Sequence, residues 1–173
     1  NFKINRKFMI NLSDLETVSP GIINLSPKEH EAIQKFTLLW TLFEAQILDS
    51  NASAKMITEK VEKIDLNIIS SNWFEEQFIY FSERYITDGE INNYFSHLYL
   101  RKNDNPDLVR SVLIKENEDP YQKLIVCLII VYRLRNNFFH GLKWAYGLKD
   151  QLNNFTHSVN LLKKYLEIVP HDV

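Results

Sequence analysis

Apolar residues recur along this chain at intervals of three and four. Phe36, Trp40, Phe43 and Ile47 share one face at helical spacing, which predicts a long helix from Pro27 to about Asp49. Phe74, Phe78, Phe81 and Tyr85 form a second stripe, and Ile91, Tyr94, Phe95 and Leu98 a third beyond a break at Asp88-Gly89. Leu108 to Ile114 predicts a shorter helix. From Tyr121 to Leu134 the chain is apolar on every side, the pattern of a helix buried at the centre of a bundle. Phe155, Val159, Leu162, Leu166 and Val169 predict a last amphipathic helix, closed by Pro170. The first 26 residues behave differently: Phe8, Ile10 and Leu12 alternate with polar neighbours, as in a short strand or an extended arm laid on the bundle.

Helix starts are marked by proline after a capping residue, where the missing N–H costs nothing. Ser26-Pro27-Lys28-Glu29 has the form of a capping box, Asn105-Pro106 repeats the device, and Asp119-Pro120 adds Gln122 three residues after the cap. These predict starts at residues 27, 106 and 120. The expected architecture is an all-α bundle of five to seven helices over residues 27–173, preceded by an N-terminal arm of residues 1–26.

Composition narrows the alternatives. The 173 residues include four glycines and five prolines, against roughly twelve glycines at an average usage of about 7%. Turn-rich sandwiches, barrels and Gly-looped nucleotide folds are thereby disfavoured, and the length suits a single core. The lone Cys127 sits in an apolar run, so it predicts a buried thiol rather than a disulfide framework or a multi-thiolate zinc site. The Asn-X-Ser/Thr triplets at Asn11, Asn24, Asn51 and Asn154 read as chance in an asparagine-rich chain. The uncharged run around Leu124–Tyr132 is shorter than the roughly twenty residues of a bilayer span, and a soluble, cytoplasmic protein is expected. A chain that opens on Asn1 rather than Met is expected to be a trimmed piece, which leaves room for an upstream segment.

Most chemical signatures are missing from the sequence. His30-Glu31 opens a zincin-like pattern that ends at Gln34 instead of a second His, and His97 and His157 read as surface or partly buried histidines. One segment stands apart. Tyr132-Arg133-Leu134-Arg135-Asn136-Asn137-Phe138-Phe139-His140-Gly141 places guanidinium, amide and imidazole groups at the end of the greasiest helix. Desolvating an arginine is costly unless it is paired, so this placement implies a cleft, a partner carboxylate or an anionic ligand. At about 100° per residue Asn136 and His140 share a face, whereas Arg135 and His140 stand about 140° apart. Bringing the last two together requires a wrapped arginine, a helix end near Phe139, or a second copy of the motif.

Arg135-Asn136-Asn137-Phe138-Phe139-His140 resembles the Arg-polar-X-X-X-His signature of the HEPN superfamily, all-α domains that include many metal-independent RNases of toxin–antitoxin, defence and RNA-processing systems. The aromatic first helix, Leu38-Leu39-Trp40-Thr41-Leu42-Phe43-Glu44, is similar to the opening helix of several such families. The resemblance implies a homodimer with both motifs facing one cleft, RNA as substrate, no metal or other cofactor, and an antitoxin or other regulatory partner. It implies cleavage by the adjacent 2′-OH, leaving a 2′,3′-cyclic phosphate and a 5′-OH. His140 would then move the proton and Arg135 would bind the phosphate oxygens as charge builds, with Asn136 and Glu44 in support. Some such toxins carry a Tyr two residues after the His that a partner nucleotidyltransferase modifies; here that position is Leu142, with Tyr146 nearby.

A formal charge of −2 is unfavourable for nonspecific RNA affinity, so contact must come from local cations, with Arg133 and Lys143 as candidates, Lys149 near them, and Lys163 and Lys164 on a solvated face. Two other readings compete. Arg135 could serve structure alone by pairing with Glu44 while His140 caps a helix C-terminus. The same fold could instead act as an inactive nucleotide- or RNA-binding or dimerisation module.

Overall fold

Residues 13–17, 21–139 and 151–171 are described by the computed structural model. They form eight α-helices, of which six run eight residues or more, and one two-stranded hairpin. The chain is an all-α bundle, as the hydrophobic spacing predicts. Among the described residues no helix is long and apolar enough to cross a membrane.

α1 (Pro27–Gln46) starts where the sequence places it. The Ser26 hydroxyl accepts from Glu29 N, and the Glu29 carboxylate accepts from Ser26 N at 2.7 Å, so the capping box forms. α7 (Pro120–Phe139) is capped by Asp119, whose carboxylate accepts from Gln122 N at 3.0 Å. α6 (Pro106–Leu113) begins at its proline, but Asn105 adopts a left-handed backbone with φ +55° and makes no side-chain cap, which departs from the expected device.

α7 is the centre of the molecule. All eight side chains from Leu124 to Val131 are buried, Cys127 among them, and burial pushes the Cys127 thiol above its usual pKa. α2 (Ala54–Val61), α3 (Leu66–Ser70), α4 (Glu75–Tyr85) and α6 all pack against it. α1 and α8 (Leu152–Ile168) run side by side in the same direction, with Phe36 against Phe155 and Phe43 against Tyr165 at ring separations of 5.1 Å. α7 runs antiparallel to both, with Phe138 against Phe155 at 5.2 Å and Tyr132 stacked on Trp40 at 6.1 Å.

Two parts of the pattern resolve differently from expectation. The stripe from Ile91 to Leu98 is not one helix. The chain turns at Asp88 (φ +53°) and Gly89 (φ +80°), the conformation of a two-residue type I′ hairpin, so that β1 (Ile86–Thr87) pairs antiparallel with β2 (Glu90–Ile91). A single helical turn, α5 (Asn93–Ser96), follows. Only Leu98 of that stripe is fully buried, while Ile91 and Tyr94 face solvent. α2 and α3 carry no aromatic stripe, and they fill the interval between α1 and α4. The alternating positions Phe8, Ile10 and Leu12 lie outside the described residues.

Phe81 on α4 is fully buried against Tyr80 and Tyr85. Phe81→Ala should lower the unfolding free energy by about 3–5 kcal/mol in chemical denaturation, because the cavity adds to the lost burial. A loss below 1 kcal/mol would contradict a tightly packed α4–α7–α8 core.

Candidate functional site

The last two turns of α7 carry the polar cluster, and helical phase divides it. Residues two apart on a helix point about 200° away from each other, so Arg133 and Arg135 face opposite neighbours.

Arg135 faces α1. Its Nη2 lies 3.7 Å from Glu44 Oε2, its Nη1 donates to Asn136 Oδ1 at 3.0 Å, and its guanidinium carbon sits 5.9 Å from the centre of the Trp40 ring. Trp40 Nε1 in turn donates to Glu44 Oε2 at 2.9 Å, which fixes the carboxylate one turn further along α1. The Glu44–Arg135 contact considered from sequence therefore forms. Arg135 retains 30% side-chain exposure and Glu44 25%, so the pair is worth at most about 1 kcal/mol to stability. Its larger effect is on geometry. A flexible cationic side chain is held between an indole face, a carboxylate and an amide, with part of its surface open to solvent.

Arg133 faces the other way and corrects an expectation. Its side chain is 4% exposed and pairs with Asp104, 7% exposed, at 3.5 Å. Its Nε donates to the Leu98 carbonyl at 3.2 Å and its Nη2 to Asn137 Oδ1 at 3.4 Å. Asn137 Nδ2 donates to the carbonyls of His97 at 3.2 Å and Leu98 at 3.1 Å. Asp104 Oδ2 also accepts from Arg101 N at 2.7 Å. Arg133 is thus withdrawn from solvent and committed to holding the segment 97–104 against α7, not offered to an RNA phosphate. Asn137 and Asp104 carry this network and were not singled out from the sequence. The available signals were the four-residue spacing of Arg133 and Asn137, and Asp104 three residues after Arg101.

His140 and Lys143 lie outside the described residues, as do Gly141, Leu142, Tyr146 and Lys149. The expected contact of Asn136 with His140 falls there too; among the described atoms Asn136 is buried and accepts from Arg135. Lys163 pairs with Glu167 on the exposed face of α8, as a solvated lysine would. Lys164 does more than solvate that face: it donates to the Trp73 carbonyl at 3.1 Å and lies 3.5 Å from Glu76 Oε2, tying α8 to α4. Tyr80 and His157 stack nearly parallel at 3.8 Å across the same interface, and Tyr80 Oη donates to Asn154 Oδ1 at 2.7 Å. Burial lowers the His157 pKa, and Lys164 adds to that effect against the opposing pull of Glu76. Among the described residues no three His, Cys, Asp or Glu side chains gather as they would around a metal ion.

The buried pair predicts an asymmetric response. Arg133→Met, which keeps bulk but strands Asp104, should cost about 3 kcal/mol or more of unfolding free energy, and Arg133→Met/Asp104→Leu should recover much of that loss. Equal destabilisation by the single and double variants would contradict the pairing. No protein-family model, curated protein or solved structure matches this chain.

Proposed function

We propose that this chain is a metal-independent endoribonuclease of the HEPN type. The observation that supports it most is the placement of Arg135 within the Arg135-Asn136-X-X-X-His140 motif: a half-buried guanidinium, oriented by Glu44, Asn136 and Trp40, at the end of the most buried helix. A fork of fixed donors suits two oxygens of one phosphate, and preorganisation removes the need to reorder the side chain as charge develops. His140 supplies an imidazole that moves the proton between the attacking 2′-OH and the departing 5′-oxygen. The products are a 2′,3′-cyclic phosphate and a 5′-OH, and DNA is left intact.

A homodimer belongs to this proposal. Leu38 and Leu42 stand exposed one turn apart on α1, on the face about 200° around its axis from the Trp40 and Glu44 positions that hold Arg135, and form an apolar strip for a second copy to cover. That both motifs face one cleft is what the HEPN resemblance implies. A toxin or defence role, restrained by an antitoxin or another regulatory partner, follows from the same resemblance.

The Glu44 carboxylate favours a second reading, because it already offsets the Arg135 charge. On that reading the domain binds nucleotides or RNA, or only dimerises, and cuts nothing.

Incubation with RNA in EDTA distinguishes these. Cleavage should persist in chelator, yield cyclic-phosphate ends, and fall at least about a hundredfold in His140→Ala and in Arg135→Ala. The wild-type protein should sediment as a dimer. Cleavage that needs a divalent ion, or that survives His140→Ala, would overturn the mechanism.

A further inference from the structure

We propose that the segment from Tyr94 to Lys102 is a stacking platform for single-stranded RNA, which feeds the strand towards the end of α7. The proposal rests on the endoribonuclease reading only for the fate of the strand; binding is a separate property.

Three rings stand in contact along this segment. Tyr94 and His97 are 6.4 Å apart at a steep angle, and His97 and Tyr99 are 6.5 Å apart and tilted by 24°. Tyr94 is 53% exposed and Tyr99 51%, and His97 is exposed as well. Arg84 sits 4.9 Å from the centre of the Tyr94 ring and backs it with positive charge. Arg101 and Lys102 are both exposed just beyond Tyr99, and no carboxylate occurs from Ile91 to Asn103. Aromatic faces interleaved with cations are what bases and phosphates of a single strand recognise, and a base paired inside a duplex has no free face to stack.

The backbone beneath these rings is held as a platform requires. Leu98 is a fully buried plug, and its carbonyl accepts from both Arg133 Nε and Asn137 Nδ2. Tyr99 immediately after it has φ +50°, an uncommon conformation for a bulky residue, which turns its exposed ring away from the plug. Asn137 also holds the His97 carbonyl. His140 follows Asn137 by three residues, a span of at most about 10 Å even when fully extended. That span starts at the residue whose side chain holds the backbone of the platform. The Arg133–Asp104–Asn137 network thereby ties this segment to α7.

The test uses a fluorescein-labelled 2′-O-methyl oligoribonucleotide of mixed sequence, which has no free 2′-OH and cannot be cut by this chemistry. Anisotropy titrations at fixed salt should show the single strand binding at least tenfold more tightly than the same strand in a duplex. Tyr94→Ala/Tyr99→Ala should weaken single-strand binding at least tenfold without shifting the thermal unfolding midpoint, and Tyr94→Phe/Tyr99→Phe should restore it. No binding by the wild-type protein, equal binding of single strand and duplex, or an unchanged affinity in the double alanine variant each overturns the platform. If the probe binds as expected and unmodified RNA is still not cut, the endoribonuclease reading fails and the platform stands.

Discussion

Everything in this molecule depends on the burial of α7. Its middle is rich in β-branched residues, Ile125, Val126, Ile129, Ile130 and Val131, which individually disfavour a helix. The propensity deficit is below about 0.7 kcal/mol per residue, whereas fully burying one such side chain contributes about 1.5–3 kcal/mol. Tertiary packing therefore sets the secondary structure. A rod buried on all sides from Leu124 to Val131 must be surrounded, and α2, α3, α4 and α6 do the surrounding.

The same constraint governs the polar end of the helix. Once the rod is fixed in position and rotation, its phase decides which neighbour each later residue meets. Arg133 and Asn137, four apart, meet the 97–104 segment, and Arg135, on the far side, meets Trp40 and Glu44 on α1. Two arginines two positions apart thereby acquire different work. One is desolvated and satisfied by a carboxylate, a carbonyl and an amide. The other is oriented by a carboxylate, an amide and an indole face and keeps 30% of its side chain exposed.

Much of the fold was legible because punctuation and periodicity agreed. Proline after a cap located α1 and α7, and the apolar spacings located α4 and α8. The Ile91–Leu98 stripe misled because a hairpin strand, one helical turn and a buried leucine can reproduce a three-and-four spacing over so short a stretch. The decisive signal there was Asp88-Gly89, whose backbone preference is a type I′ turn and not merely an interruption. The candidate site was half legible. Glu44 could be nominated for Arg135 because it is the carboxylate among the aromatics of the first long helix. The partner of Arg133 could not, because Asp104 lies 29 positions earlier in the chain and meets it only after the hairpin folds back. The segment is local in sequence; the partners that bury its arginines are not.

The division of labour between the two arginines is best tested by replacing each with lysine, which keeps the charge and removes the fork. Unfolding free energy and RNA cleavage per folded molecule are then measured on the same preparations. Arg133→Lys should lose more than about 1 kcal/mol of stability through its unmade buried hydrogen bonds while cutting at the wild-type rate. Arg135→Lys should stay within about 0.5 kcal/mol of wild type and cut at least about tenfold more slowly. Two variants that lose stability and cleavage in the same proportion would contradict the account.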